Sequence, residues 1–358
     1  MKRYPHVLRS LLLSAALGLS AWSIAQASPT LFVGDGGDNS VKQFDSASGI
    51  ALGAFVASGA GGLTGPRGMI FTDGELVVVN QNVSTSPTTD APPGELLRFD
   101  GTTGNFIRKL VASSDLNAPY APRGIVRGGP ERAFYVADDG TRGKTCANQG
   151  DVKRYSDTGA FLGNLDRDHF APAFYPRGVV FGPDGLLYVS ARGCPVATDP
   201  NTPLIGYVLR FDPHTNAFVD IFASYKSIPD LHRPEGLVFD SAGNLWVTSF
   251  RNLSDAGDTD KILKLDGKTG ALLDELVLSK PHTNRAYAQA IIFGPGGYLY
   301  IPINGNERQT TGELRRCNPT TKACDVIVPA NASGGTLQQP WYPIFRRSNP
   351  ATLNYEED

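Results

Sequence analysis

The chain has 358 residues, with 33 Lys+Arg against 35 Asp+Glu and a formal charge of −2. Both signs are mixed along it, which excludes a broad nucleic-acid or anionic-membrane surface and leaves room only for a local basic site. The four cysteines suit an oxidising compartment.

At the N-terminus Lys2, Arg3 and Arg9 precede the apolar run Leu11 to Leu19, and Ala25-Gln26-Ala27 offers a small-x-small cleavage site. This pattern predicts a signal peptide over 1–27 and a mature chain over 28–358, periplasmic or secreted. The apolar run falls short of the roughly 20 residues of a spanning helix, and no later segment could span, so no membrane span is expected in the mature chain. Without the three leader cations, 30 Lys+Arg stand against 35 Asp+Glu, a net of about −5.

Residues 30–55, TLFVGDGGDNSVKQFDSASGIALGAF, alternate apolar and polar residues between Gly/Asp/Ser turns and predict three short strands. A longer unit then begins and recurs. PRGMIFTDGELVVVN starts at Pro66, PRGIVRGGPERAFYVAD at Pro122, PRGVVFGPDGLLYVSA at Pro176, PEGLVFDSAGNLWVTS at Pro234, AQAIIFGPGGYLYIPI at Ala288 and PWYPIFRRS at Pro340, a period of 52 to 58 residues. Each of the first five copies continues, after a loop of variable length, into a second hairpin such as GELLRFDGTTGNFIRKL or GYVLRFDPHTNAFVDIF.

Each repeat is therefore four strands, A to D, the unit of a propeller blade. The N-terminus supplies strands B, C and D without an A, and the C-terminus an A without the rest. The predicted fold is an all-β, six-bladed β-propeller of four-stranded antiparallel blades, with one blade shared between the two chain ends so that the ring closes. A length that suggests two domains on average thus forms one.

The P-x-G start, Gly-Pro-x-Gly turn, Leu-Tyr-Val strand and R-F-D…T-G hairpin resemble the NHL-repeat, gluconolactonase and virginiamycin-lyase-like group of six-bladed propellers, over essentially the whole mature chain. The resemblance implies the fold but not one function, because this architecture hosts lactone hydrolases, lyases, synthases and interaction domains. In gluconolactonase-like members it implies a divalent metal at the channel, with P-N-G and P-D-G positions among the ligands. This chain has PRG three times, PEG once and AQA once, so neither metal nor lactonase activity is carried over, and no cofactor is expected. The histidine, glutamates and magnesium of the virginiamycin-type lyases find no matched positions.

Strand A is innermost in a propeller, so the x of each P-x-G is one position repeated around a channel mouth: Arg67, Arg123, Arg177, Glu235, Gln289 and Trp341. The following Gly, present in four blades, is explained by close approach of neighbouring strands. Two readings of the arginines stay open. They either donate to backbone carbonyls and tie blades together, or they receive an anion. On the second, Arg177→Ala weakens an anionic ligand with little change in melting temperature; on the first, it costs stability and leaves binding alone.

Loops on the same face add Tyr120, His169, Phe174, Tyr175, His232, Arg233, His282, Tyr287 and Tyr342 before strand A, and Asp138, Asp139, Arg142, Arg192, Arg251, Asn304 and Asn306 after strand B. His232 with Glu235, and Tyr175 or Tyr287 as proton donors, are the candidates for acid-base work. Cys317 and Cys324 flank the turn NPTTKA and are expected to pair, as are Cys146 and Cys194 in equivalent loops of neighbouring repeats. The carboxylates of DAGDTD, Asp255 to Asp260, lack a full calcium-loop pattern. The favoured function is binding of a small anionic or carbohydrate-like ligand, or of an envelope protein, at the arginine-rich mouth. The alternatives are a lyase or lactone hydrolase at the same place and a purely structural module.

Overall fold

The computed structural model describes residue 1 and residues 28–83, 91–140, 148–194, 205–252, 255, 257–305 and 312–357. The expected signal peptide lies outside these residues. No helix among them is long and apolar enough to cross a membrane.

Among the described residues, alternating short segments produce 24 β-strands and three single-turn 3-10 segments. Blade 1 begins with β1 (Thr30–Asp35), β2 (Ser40–Asp45) and β3 (Ala51–Val56). Blade 2 is β4 (Pro66–Thr72), β5 (Glu75–Asn80), β6 (Glu95–Asp100) and β7 (Phe106–Val111). Blade 3 is β8 (Pro122–Gly128), β9 (Ala133–Asp138), β10 (Asp151–Tyr155) and β11 (Phe161–Asn164). Blade 4 is β12 (Tyr175–Phe181), β13 (Leu187–Arg192), β14 (Gly206–Phe211) and β15 (Phe218–Ser224). Blade 5 is β16 (Leu237–Phe239), β17 (Leu245–Ser249), β18 (Lys261–Leu265) and β19 (Leu272–Val277). Blade 6 is β20 (Ile292–Phe293), β21 (Leu299–Ile303), β22 (Glu313–Cys317) and β23 (Cys324–Val328), and β24 (Pro340–Phe345) follows.

Every blade is a four-stranded antiparallel meander, so the molecule is a six-bladed β-propeller; β24 hydrogen-bonds to β1 and makes blade 1 the sheet β24-β1-β2-β3. The first strand of each blade lies innermost, and the outermost strands β3 and β7 are exposed over their first four residues and buried at their last two.

The seams between blades are built from one repeated pair of rings. An aromatic residue on the second strand of one blade meets an aromatic residue at the end of the first strand of the next. The pairs are Phe32 with Phe71, Tyr135 with Phe181, Tyr188 with Phe239, Trp246 with Phe293, and Tyr300 with Phe345, at centroid distances of 4.9, 5.4, 4.9, 6.0 and 5.2 Å. Such edge-to-face pairs add about 0.5–1.5 kcal/mol each beyond their burial. The seam between blades 2 and 3 departs from this: Arg127 stands where the phenylalanine would be and Val77 where the ring partner would be. Arg127 closes that seam by donating to Thr72 Oγ1 at 2.7 Å and pairing with Asp73 and Asp157.

Beyond β24 the chain crosses the end of the ring opposite the P-x-G positions. The Arg127 N–H donates to Pro350 O at 2.8 Å, the Phe181 N–H to Ala351 O at 3.0 Å, and the Gly296 N–H to a Glu357 carboxylate oxygen at 2.8 Å. This tail spans inner-strand ends of three blades.

Cys317 and Cys324 form a disulfide across the β22–β23 hairpin, where they are register partners. Cys194 is disulfide-bonded too, while Cys146, its expected partner, lies outside the described residues. The 317–324 bridge closes a short loop, so replacing both residues by serine is expected to cost about 2–3 kcal/mol. Chemical denaturation of the double variant checks this, and a loss several times larger would mean the bridge does more than close its own hairpin.

Candidate functional site: an arginine-lined channel mouth

The geometry of the mouth begins with a repeated irregularity. In β4, β8 and β12 the pairing with the next strand skips a step between Pro66 and Met69, Pro122 and Ile125, and Pro176 and Gly178. Arg67, Arg123 and Arg177 fall in these bulges. A bulge bends the strand and re-aims the unpaired side chain, here toward the axis. The glycine after each arginine is forced by contact. A Cβ on Gly68 would lie 2.7 Å from Arg123 O, one on Gly124 2.9 Å from Arg177 O, and one on Gly178 2.4 Å from Glu235 O. Inner strands therefore touch backbone to backbone around the ring.

The expected ring residues Arg67, Arg123, Arg177, Glu235, Gln289 and Trp341 line one cavity. Its free volume is about 30 Å³, enough to admit water.

Arg67, in van der Waals stacking on Trp341, lies 3.6 Å from its ring centroid, and Arg123 lies 5.6 Å from the same ring. Arg177 is buried and reaches both ways: its Nη2 is 3.0 Å from Asp139 Oδ2 and its Nη1 3.1 Å from Glu235 Oε1. It thereby bridges blades 3, 4 and 5. Asp139, 0 % exposed, also pairs with Arg192 at 3.2 Å and Arg123 at 3.7 Å. Glu235 is 3.6 Å from Arg233 Nε, and Arg233 adopts a φ of 41°, in the left-handed region that non-glycine residues rarely enter.

Four guanidiniums, those of Arg123, Arg177, Arg192 and Arg233, thus surround two carboxylates. Burial, and then repulsion by Arg177, bring Arg192 down to about 9 and Arg123 down to about 10; the same causes lower Arg233. The Nε–H groups of Arg123, Arg177 and Arg192 and the Trp341 indole N–H are buried with no acceptor. Among the described residues guanidiniums outnumber carboxylates here, and the buried atoms without a hydrogen-bond partner are mostly N–H donors, with Glu235 Oε1 beside them.

The expected pairing with backbone carbonyls is not what holds Arg177; carboxylates from both neighbouring blades hold it. Tie and site coincide in this residue, so the expectation of little change in melting temperature for Arg177→Ala does not suit its surroundings. Removing it severs the ion pairs that tie blade 4 to blades 3 and 5, a loss of the order of 3 kcal/mol.

The acid-base candidates do not converge. His232 turns its Nδ1 toward Asp258 Oδ2 at 3.6 Å, beside Lys261, which lies 2.9 Å from Asp258. Tyr175 is buried under Arg192, 5.6 Å from ring to guanidinium, with burial pushing its hydroxyl up. The Tyr287 hydroxyl accepts from Arg285 at 3.0 Å, and Arg285 in turn pairs with Asp260 at 2.8 Å. Of these only Glu235 lines the cavity.

Asp138 and Asp139, adjacent in sequence, do different work. Asp138 accepts the backbone N–H groups of Tyr120 and Ala121, both at 2.7 Å, locking the loop before β8. Asp35 does the same for Gln338 and Gln339 at 2.8 and 2.7 Å, Asn80 for Thr64 at 2.8 Å, and Ser249 for His232 at 3.0 Å. Arg192 occupies this loop-locking position in blade 4, and its head turns to Asp139 instead. That substitution in a repeated slot was the signal for Arg192. Asp139 was expected on this face with the other loop residues, but only the fold singles it out as the carboxylate among the arginines. Arg142 and Asn306 lie outside the described residues.

A divalent metal does not fit. Glu235 is the one carboxylate among the described lining residues, and guanidiniums hold both its oxygens. No group of three His, Cys, Asp or Glu comes together among the described residues. The carboxylates of 255–260 are separately engaged, Asp255 with the Gly257 N–H, Asp258 with Lys261 and Asp260 with Arg285.

No protein-family model and no curated protein sequence matches the chain. Among solved structures it is similar to hydrazine synthase of Kuenenia stuttgartiensis, at 18 % identity over 84 % of this chain and 80 % of that one, with a TM-score of 0.52. A luciferin-regenerating enzyme matches at 14 % over 77 % and 80 %, with a TM-score of 0.51. A putative 6-phosphogluconolactonase from Bacteroides uniformis matches at 13 % over 89 % and 100 %, with a TM-score of 0.52. At such identities the likeness is one of fold, and what it establishes is that this chain is a six-bladed β-propeller of the architecture that lactonase-like and related proteins use.

Proposed function

We propose that the protein is an exported anion-binding propeller whose ligand enters the arginine-lined mouth. The observation that carries this reading is the excess of buried guanidinium over carboxylate around a cavity whose unsatisfied groups are mainly N–H donors. Uncompensated buried charge is costly, and an anion accepting those donors relieves it.

A lyase or lactone hydrolase at this mouth needs a base beside the bound substrate. His232 faces Asp258, and Glu235 lies in ion-pair contact with Arg177 and Arg233, so neither stands apart as a free base. An envelope protein presenting an acidic side chain to the mouth would use the same chemistry as a small anion.

The test is isothermal titration of the purified protein with a panel of small anions and neutral sugars, repeated with Arg123→Gln. Arg123 is the least buried of the ion-paired arginines lining the cavity and its contact with Asp139 is the longest, so this variant is expected to keep its fold. Anions should bind and neutral sugars should not, with the variant weakened about tenfold or more, the size of one charge-assisted hydrogen bond. Binding of neutral sugars alone, unchanged in the variant, would reject the reading.

A further inference from the structure

We infer that Arg233 is the residue with which the mouth meets an anion arriving from solvent, a ligand-contacting guanidinium that the fold holds in place against a backbone cost. The inference rests on the anion-binding reading above and goes further in assigning the outermost contact of that site.

Exposure singles Arg233 out. Of the four guanidinium side chains around Asp139 and Glu235, those of Arg177 and Arg192 are 2 % and 7 % exposed and that of Arg123 17 %, whereas that of Arg233 is 35 % exposed. Arg177 and Arg192 are closed in among their own ion pairs. Arg233 nevertheless belongs to the mouth, because its Nε lies 3.6 Å from Glu235 Oε1 and Glu235 lines the cavity. Arg177 repels it, and it repels Arg123, so it shares their surroundings.

The backbone supplies the second observation. Arg233 has a φ of 41°, where the Cβ of an L-residue crowds the following carbonyl, and the ring of Pro234 restricts it further. In blade 2 the same slot, two residues before the ring residue, holds Gly65 with a φ of 83°. Glycine takes such a conformation without the Cβ penalty, so it is the strain-free residue for the slot.

Hydrogen bonds on both sides hold the arginine there. The His232 N–H donates to Ser249 Oγ at 3.0 Å, the Phe250 N–H to His232 O at 2.9 Å and the Glu235 N–H to Thr248 Oγ1 at 2.9 Å. Residues 248–250 therefore clamp the segment before and after Arg233, and its guanidinium lies 5.4 Å from the Phe250 ring centroid. Strain persists only where the surroundings over-determine it, as they do here. A long ion pair on a side chain open to water returns little stability, so the conformation serves where the guanidinium stands rather than how firmly blade 5 is held.

Calorimetric titration of the wild type, Arg233→Gly, Arg233→Ala and Arg123→Gln with inorganic phosphate, acetate and gluconate tests this. An ionic strength of about 0.15 M screens charges further than roughly 8 Å from the ligand. Both Arg233 variants are expected to weaken the anions that the wild type binds by about tenfold, the size of one charge-assisted hydrogen bond. The glycine variant is expected to melt about 1–2 °C above the alanine variant, because glycine alone takes this backbone freely. Unchanged affinity in both, with Arg123→Gln still weakened, would overturn the inference and leave the anion site standing. Equal melting temperatures of the two Arg233 variants would remove the strain and overturn it as well. A fall in both as large as that of Arg177→Ala would make Arg233 a blade tie and overturn it too. If the wild type binds none of the three anions, the site reading falls and this inference with it.

Discussion

Asp139→Ala is expected to destabilise the protein by about 3–5 kcal/mol and lower its melting temperature by several degrees, of the order of 5 °C. Asp139 is 0 % exposed and has Arg123, Arg177 and Arg192 within 3.7 Å, so its removal takes away the carboxylate the three guanidiniums share and leaves Glu235, which is paired to Arg177 alone of the three. The same variant is expected to respond more strongly than the wild type to added sulfate. The anion then replaces a lost carboxylate as well as filling its own place, and linkage returns that binding as stability. Differential scanning at matched ionic strength, with chloride against sulfate, reads both effects. A melting temperature within a degree of wild type, or a sulfate response no larger than wild type's, would show that Asp139 is not the counterion of this cluster.

Gly178→Ala is expected to cost about 3 kcal/mol or more, for steric rather than electrostatic reasons. The added Cβ would stand 2.4 Å from the carbonyl oxygen of Glu235 and 2.9 Å from Ser190 Oγ. Ser190 Oγ accepts from the Gly178 N–H at 2.8 Å and donates to that same carbonyl at 2.6 Å, so one methyl group disturbs the link between blades 4 and 5. Gly185→Ala is the comparison. Gly185 has a φ of 81°, but nothing lies near its Cβ, so it costs only the roughly 1–2 kcal/mol of a left-handed alanine. Equal losses at the two positions would refute backbone contact between inner strands. Because Glu235 moves with the disturbed link, Gly178→Ala should also weaken anion binding, which Gly185→Ala should leave intact.

These two residues mark how far the sequence could be read. The blade repeat, the count of six and the position of the ring residues were legible because each blade must bury alternate residues of short strands, and that requirement repeats with the period of the blade. The P-x-G glycines were legible for a related reason, since the crowded axis tolerates no side chain there. The pairing of Cys317 with Cys324 followed from a hairpin seven residues long in sequence separation. Arg127, where the five other repeats carry Phe, was printed in the repeat and marks the seam where a hydrogen bond and ion pairs stand in for the ring pair.

The electrostatics were not legible in the same way. Three arginines at one ring position showed that charge accumulates at the mouth, but nothing in a linear sequence says which carboxylates answer it. Asp138 and Asp139 look alike in the chain, and strand alternation sends them to opposite tasks, one to a loop's amide groups and the other to three guanidiniums. His232 lies three residues from Glu235, yet Asp258, 26 residues away, is the carboxylate it faces.

By itself, then, the sequence determined the architecture, the ring of residues at the channel mouth and the sign of its charge, because these follow from periodic local patterns that every blade repeats. Only the tertiary structure decided which buried charges pair, how many are left over and how little space remains between them. Those quantities depend on ångström distances between residues of different blades, and in the Coulomb and packing energies that fix the site, distance is the variable that sequence separation does not supply.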